Sequence, residues 1–180
     1  MNAGAGKALT SSAFELFGLQ PAFALDAEAL ERSYREIQSR VHPDRFAHAG
    51  DAERRASLQW TSRVNEAYRT LKDPVQRARH LLDLQGVDVA FETNTAMPAD
   101  FLAQQLEVRG SLETAVATKD GAALDALRKE LRGQRTALEE EIAARIDAEK
   151  DYPGAAGLVR KLMFLHRLDE EFDSAYEAVE

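Results

Sequence analysis

Apolar residues recur at helical spacing along most of this chain, and proline and glycine residues divide the pattern into separate segments. The clearest apolar stripe consists of Leu30, Tyr34, Ile37 and Val41, whose members lie three or four positions apart. This stripe predicts a helix that begins after Asp26, because aspartate is a favourable helix N-cap. Alternating runs of valine, isoleucine and threonine, which are typical of strands, are nearly absent. The sequence therefore predicts an all-α fold.

A tripeptide, His42-Pro43-Asp44, follows the end of this stripe. Pro43 disfavours helical dihedral angles in the residue before it, so the helix is predicted to end there. A long helix is predicted next, from Asp51 to Lys72, with an inner side formed by Leu58, Thr61, Val64, Asn65, Tyr68 and Leu71. The tripeptide is either an ordinary turn or an exposed, rigid docking loop. A catalytic His/Asp pair is disfavoured, because the proline makes the two side chains diverge and no nucleophile accompanies them.

Two short helices complete the first half of the chain. One is predicted to stop at Gly18, and the other is predicted to begin at Pro74, a residue that suits the first turn of a helix. Gly86 closes this part of the chain. We therefore expect a four-helix domain over residues 12–86, preceded by a disordered tail at residues 1–11.

The second half is predicted to be a bundle of three helices. Residues 87–98 form a connector without helical periodicity. A break at Asp120-Gly121 and a turn over residues 151–154 then divide residues 99–180 into three amphipathic segments. Short connections place successive helices side by side in opposite directions, so we expect an antiparallel three-helix bundle.

The charge of the chain is unevenly distributed. Residues 1–85 carry 12 Lys or Arg and 11 Asp or Glu, whereas residues 86–180 carry 11 and 20. The acidic second half disfavours nucleic acid as a partner. No apolar run approaches the roughly 18 residues of a membrane span, so we expect no membrane association. The chain has no cysteine, which excludes disulfides and Cys-ligated metal and fits a cytoplasmic location.

Many residues along this helical plan recur together in one family of proteins. In the first half they are Phe17-Gly18-Leu19, Phe23, Leu25, Asp26, His42-Pro43-Asp44-Arg45-Phe46, Asn65-Glu66-Ala67-Tyr68, Leu71, Pro74, Arg77-Ala78 and Leu81-Leu82. In the second half they are Phe101-Leu102, Gln105-Leu106-Glu107-Val108-Arg109, Arg160-Lys161-Leu162 and Phe164-Leu165. The first half thus resembles a J domain, the co-chaperone module that stimulates the ATPase of 70-kDa heat-shock chaperones. Over roughly residues 12–176 the chain is similar to HscB-type co-chaperones of iron–sulfur cluster assembly.

The resemblance implies that the His42-Pro43-Asp44 loop docks on the chaperone, with Asp44 meeting a basic residue near the chaperone's interdomain linker. The chaperone-binding residues expected from it are His42, Pro43, Asp44, Arg45, Arg40, Arg35 and Arg32. J domains offer a basic face on this second helix. Here, however, Arg32, Arg35 and Arg40 each follow a glutamate by four positions, a favourable spacing for ion pairs. This helix face is therefore either a solvated row of ion pairs or a docking surface.

A second group of residues stands out on the helix that follows Pro98. Its core-facing stripe is predicted to be Phe101, Gln105, Val108, Leu112 and Ala115. Leu102 and Leu106 lie roughly 100–140° away from that stripe, and Phe164 is similarly displaced on the last helix. These three side chains are either the edge of a wide buried face or a surface for a partner.

The resemblance to HscB implies the second interpretation, a binding site for an iron–sulfur scaffold protein of the IscU type. The scaffold-binding residues expected from it are Leu102, Leu106, Glu107, Glu113 and Phe164, the two glutamates forming a charged rim. Ala103 and Gly110 depart from the family pattern, which often has larger or acidic residues at these positions. The patch is therefore expected to be smaller.

The expected function is that of a monomeric co-chaperone, without cofactor or metal, that stimulates an HscA-type chaperone and delivers the scaffold to it. No Gly-rich phosphate loop, ligand cluster or nucleophile–base pair suggests an enzyme. Two alternatives remain open at this point. One is a J-domain co-chaperone for other clients, with a dimerising or generic substrate-binding bundle. The other is a purely structural helical adaptor.

Overall fold

The structure, a computed structural model, describes residues 12–46, 48–89 and 97–179. These residues form helices joined by short turns and contain no strand, which confirms the all-α prediction. The α-helices are α1 (Ala13–Leu16), α2 (Ala27–Val41), α3 (Asp51–Lys72), α4 (Pro74–Leu84), α5 (Ala99–Ala117), α6 (Gly121–Ala143) and α7 (Tyr152–Val179). The predicted tail at 1–11 lies outside the described residues, as does most of the predicted connector. Along these helices no segment is long and apolar enough to cross a membrane.

The chain divides into two compact units between Leu81 and Leu82. In the first unit, helix ends follow their capping residues. The Ser12 hydroxyl accepts the Glu15 N–H, and the Glu15 carboxylate accepts the Ser12 N–H, so α1 begins with a reciprocal capping box. The Asp26 carboxylate accepts the Ala29 N–H at 3.0 Å and starts α2. Gly18, with a φ of 66°, ends the first helical segment as predicted.

Helices α2 and α3 run antiparallel and share a polar and aromatic contact line. The Tyr34 and Tyr68 rings stack with centroids 4.0 Å apart, and the Tyr34 hydroxyl donates to Asn65 Oδ1 at 3.0 Å. Leu30, Val64 and Leu71 are buried beside this line. These contacts between Tyr34 and α3 set the register of the two helices, and so determine which part of α3 lies against the end of α2.

One predicted core position on α3 is wrong. Leu58 was predicted on the inner side, but it is 56% exposed, whereas its neighbour Ser57 is only 4% exposed. At this end α3 faces the last backbone carbonyl of α2, and a hydroxyl group there can donate a hydrogen bond that leucine cannot. The inner position is therefore taken by the residue that can donate a hydrogen bond to the backbone, and not by the more hydrophobic one.

In the second unit α5, α6 and α7 pack as an antiparallel three-helix bundle around one apolar cluster. Its buried members are Leu112, Ala115, Leu124, Leu131, Leu165, Leu168, Phe172 and Ala175. Across α6 and α7, Arg128 and Arg135 both bind Asp169, at 3.2 and 2.6 Å. These ion pairs are about four-fifths buried and hold the two helices in one register.

The first break of the bundle lies at Asp120-Gly121 as predicted, but the second turn differs from the prediction. α7 already begins at Tyr152, so Pro153 and Gly154 lie inside its first turn instead of forming the predicted turn. Proline is tolerated there because the first helical N–H groups have no intrahelical partner. The Asp151 carboxylate accepts the Gly154 N–H at 3.0 Å and caps the helix. The left-handed residue that ends α5 is Lys119, with a φ of 54°.

Candidate functional site

The His42-Pro43-Asp44 tripeptide leaves α2 at a sharp change of backbone direction. His42 has φ −57° and ψ 131°, so it is no longer helical, as the following proline requires. Pro43–Phe46 form a single 3₁₀ turn, in which the Arg45 N–H donates to the His42 carbonyl at 3.1 Å. We call residues 42–46 the HPD turn. The turn is compact, and a backbone hydrogen bond closes it.

The two polar side chains of the tripeptide are accessible from outside. The side chain of His42 is 48% exposed and that of Asp44 is 90% exposed. The predicted divergence of the two side chains is wrong, because His42 Nδ1 lies 3.5 Å from Asp44 Oδ2. The Asp44 N–H donates to His42 Nδ1 at 3.3 Å, so in the neutral ring the proton resides on Nε2. The HPD turn therefore offers a carboxylate that can accept a cationic group and an imidazole N–H that can donate.

The three arginines of α2 are both ion-paired and exposed. Arg32 binds Glu28 at 3.4 Å, Arg35 binds Glu31 at 2.9 Å, and Arg40 binds Glu36. Their side chains are 67%, 75% and 68% exposed. Pairs as exposed as those of Arg32 and Arg40 contribute only about 0.2–1 kcal/mol, so a partner's carboxylates can replace Glu28 and Glu36 at little cost. The geometry is compatible with both interpretations of this helix face.

Arg45 differs from these three because its guanidinium turns back onto α2. Its Nη1 donates to the Ser39 carbonyl at 3.1 Å. That carbonyl lies in the last turn of the helix, where no intrahelical N–H follows. Arg45 thus supports the end of α2, whereas it was predicted only as a chaperone-binding residue.

Neighbours on both helices favour the ionised form of Glu31. The Tyr68 hydroxyl donates to one carboxylate oxygen and Arg35 to the other. The hydrogen bond from Tyr68, followed by that from Arg35, lowers the pKa of Glu31, and the same contact raises the pKa of Tyr68. Tyr68 therefore fixes the partner of Arg35, one of the predicted docking residues.

On the bundle, Leu102 and Leu106 lie one turn apart on α5 with exposures of 38% and 68%. Phe164 of α7 is only half-buried and packs beside the same helix. Its ring meets Phe101 edge-on at 5.7 Å, and the Arg109 guanidinium lies 5.2 Å from its centroid. We call Leu102, Leu106 and Phe164 the apolar patch. Two exposed leucines one turn apart on a helix whose opposite side fills a core form a candidate surface for a partner.

The two predicted rim glutamates lie in different grooves of the bundle. Glu107 lines a groove between α5 and α6 that also contains Gly110, whereas Glu113 lines a groove between α5 and α7 that contains Glu171. Both glutamates are exposed. Gly110 has open space where a side chain would stand, so α5 presents less side-chain surface on this side.

Two groups of polar side chains on α3 and α5 were not predicted to have a role. Ser57 and Thr61 of α3 both donate to the Val41 carbonyl, at 2.6 and 3.1 Å. Gln105 was predicted in the core and is 1% exposed, but its amide has no hydrogen-bond partner among the described residues. The sequence carries no signal for Ser57, whereas helical spacing placed Thr61 and Gln105 on inward faces without indicating a role. The described residues contain no cluster of three or more His, Asp or Glu side chains that could hold a metal ion.

The sequence is similar to known co-chaperones over nearly its whole length. The model of a family described as the HSCB C-terminal oligomerisation domain matches residues 97–173. The co-chaperone protein HscB homologs of Burkholderia thailandensis and Burkholderia multivorans are 50% and 49% identical to this chain over 172 residues. Both matches cover 96% of this chain and 98% of the relative.

Solved structures have the same architecture. The chaperone HscB from Vibrio cholerae superposes with a TM-score of 0.83 at 34% identity, covering 94% of this chain and 100% of that one. Human co-chaperone protein HscB gives a TM-score of 0.85 at 24% identity, covering 91% and 81%, and so supports the fold alone. Together with the all-helical structure, these matches confirm the predicted architecture of a J domain followed by a helical bundle.

Proposed function

This chain belongs to the HscB family of co-chaperones, and from that premise we propose what its two surfaces bind. The HPD turn docks on a 70-kDa heat-shock chaperone of the HscA type and stimulates its ATPase. The apolar patch binds an iron–sulfur scaffold protein of the IscU type and delivers it for cluster maturation. ATP and the cluster belong to the partners, and the chain itself acts as a cytoplasmic adaptor rather than an enzyme.

The observation that carries the first part is the geometry of the HPD turn. A 90% exposed carboxylate at Asp44 stands beside a half-exposed imidazole at His42, both on backbone fixed by a proline and a 3₁₀ turn. An exposed carboxylate favours a partner with a positively charged site. Because the backbone that carries it is already fixed, little conformational freedom is lost on docking. The exposed arginines of α2 add a mixed-charge border.

Support for the second part comes from the apolar patch. Leu106 is the most exposed large apolar side chain in the described part of the chain. Complete burial of one leucine contributes about 1.5–3 kcal/mol, so a matching apolar pocket on the scaffold gains substantially from this residue alone. Binding client and chaperone on one chain raises the effective concentration of each for the other.

The test is steady-state ATP hydrolysis by the HscA-type chaperone, with and without the scaffold. His42→Gln should lose the stimulation while keeping scaffold binding. Leu106→Ser should weaken scaffold affinity by about tenfold to a hundredfold and lose the scaffold's added effect, while keeping basal stimulation. Isothermal titration calorimetry measures the scaffold affinity separately.

Matched controls use residues of the same type elsewhere. His48→Gln alters an exposed histidine outside the HPD turn and should stimulate like the unmutated chain. Leu58→Ser alters a 56% exposed leucine on α3 and should leave scaffold affinity unchanged. If the unmutated chain stimulates no such chaperone, the proposal is wrong and a structural adaptor is the better description.

A further inference from the structure

The backbone directly before His42 is held by the neighbouring helix. Val41 is the last residue of α2, so its carbonyl has no intrahelical N–H to accept. Ser57 donates to this oxygen at 2.6 Å and Thr61 at 3.1 Å. A carbonyl oxygen has two lone pairs, so the two hydroxyls fully satisfy it.

The two donors are one turn apart on the same side of α3. Ser57 is 4% exposed, and it takes an inner position while the adjacent leucine faces solvent. A buried serine contributes little apolar packing, and its hydroxyl loses hydration unless it is hydrogen-bonded. Its contribution at this position is therefore the hydrogen bond to Val41.

Fixing this carbonyl orients the peptide plane that leads into the HPD turn. Pro43 locks its own φ, and it also restricts the dihedral angles of His42. Arg45 then ties the other side of the turn to the Ser39 carbonyl at 3.1 Å. Few backbone torsion angles between the Val41 carbonyl and Asp44 are free to rotate. The direction in which the Asp44 carboxylate points therefore depends on the hydrogen bonds that α3 donates to the Val41 carbonyl.

We propose that Ser57 and Thr61 are positioning residues, which aim the HPD turn at the chaperone through their shared hydrogen bonds to the Val41 carbonyl. This inference rests on the proposed docking function of the turn. Neither hydroxyl contacts the chaperone in this account. They increase the fraction of molecules whose turn is already in the docking arrangement.

The experiment uses the full chain with Ser57→Ala and Thr61→Val, singly and together, since both changes remove a hydroxyl and nearly preserve volume. In ATPase titrations the double variant should require about three- to tenfold more co-chaperone for half-maximal stimulation, while maximal stimulation at saturation is retained. The amides of His42, Asp44 and Arg45 should exchange faster with solvent in the free chain. Thr61→Ser, which keeps the hydroxyl, should behave like the unmutated chain.

Two controls separate positioning from general destabilisation. Ser62→Ala removes an exposed hydroxyl from the same helix and should change neither readout. Circular dichroism at the assay temperature verifies that the double variant is folded, and scaffold affinity should be unaltered because the apolar patch lies in the other unit.

The outcomes separate this inference from the function on which it rests. If the unmutated chain gives no stimulation, the docking function fails and the positioning role fails with it. If the unmutated chain stimulates but the folded double variant has the same half-maximal concentration, only the positioning role is overturned. A double variant that loses maximal stimulation and scaffold binding together would indicate unfolding, which also contradicts the inference.

Discussion

At the scale of single residues, the hydroxyl of Tyr68 is the largest cause of the lowered pKa of Glu31. The hydrogen bond from Tyr68 lowers the pKa of this carboxyl, so it stabilises the fold above the ordinary pKa of glutamate. That contribution is lost as the pH falls through the lowered value. Tyr68→Phe should therefore raise the pKa of Glu31 towards its ordinary value and destabilise the chain more at neutral pH than in acid.

A carboxyl ¹³C titration by NMR measures this shift. Tyr34→Phe is the matched control, because the Tyr34 hydroxyl donates to Asn65 instead and should leave the Glu31 titration in place. An unchanged Glu31 pKa in Tyr68→Phe would show that the Tyr68 hydrogen bond does not lower it.

Residues are also where sequence reasoning was least complete. The tripeptide and the leucines of the apolar patch could be found because their types and spacing are visible in the chain. Ser57 could not be found, since its role depends on a carbonyl of α2 that approaches it only in the folded domain. The inward turn of Arg45 onto Ser39 is likewise invisible before the end of α2 is known.

At the scale of secondary-structure elements, α6 contains a glycine that its helix does not need. Gly133 is exposed, and a Cβ added there would meet no atom within 4 Å. Gly133→Ala should stabilise the protein by about 1 kcal/mol, because alanine loses less backbone entropy in a helix. Urea denaturation followed by circular dichroism measures the change.

The same substitution at Gly154 is the control with the opposite expectation. A Cβ there would overlap the Asp151 carboxylate that caps α7, so Gly154→Ala should give no gain or should destabilise. If both alanine variants were equally stabilised, backbone entropy alone would account for them and the cap would contribute nothing.

Helix ends were predicted well where a single residue determines them. The range from Ala27 to Val41 follows from an aspartate cap and a proline, both readable in the sequence. The start of α7 was missed because Pro153-Gly154 is equally typical of a turn and of a helical first turn. The Asp151 cap and the packing that buries Ala155 and Ala156 together select the helix.

At the scale of the whole molecule, we expect a monomer. The large apolar side chains that the described residues expose are Leu58, Leu84, Leu102 and Leu106. Stable interfaces bury about 1,200–2,000 Å², which two adjacent leucines do not provide. The net charge of −8 further opposes self-association. Sedimentation equilibrium should give the mass of one chain over a wide concentration range.

A dimer mass would instead favour the alternative in which the bundle is a dimerisation arm, in line with the description of the matching family model as an oligomerisation domain. Leu106→Ser then distinguishes the cases. If the dimer dissociates in this variant, the apolar patch is the interface between chains rather than the scaffold site.

Under the proposed function, the exposure of Asp44 affects how fast the protein meets its chaperone. A carboxylate that is 90% exposed acts through solvent, where ions screen it beyond about 8–10 Å at physiological strength. The rate of docking through this group should therefore fall as the ionic strength rises. Burial of leucine is not weakened by salt in this way. Under the proposed function, a rise in the ionic strength around the protein would slow the encounter with the chaperone and leave the affinity for the scaffold unchanged.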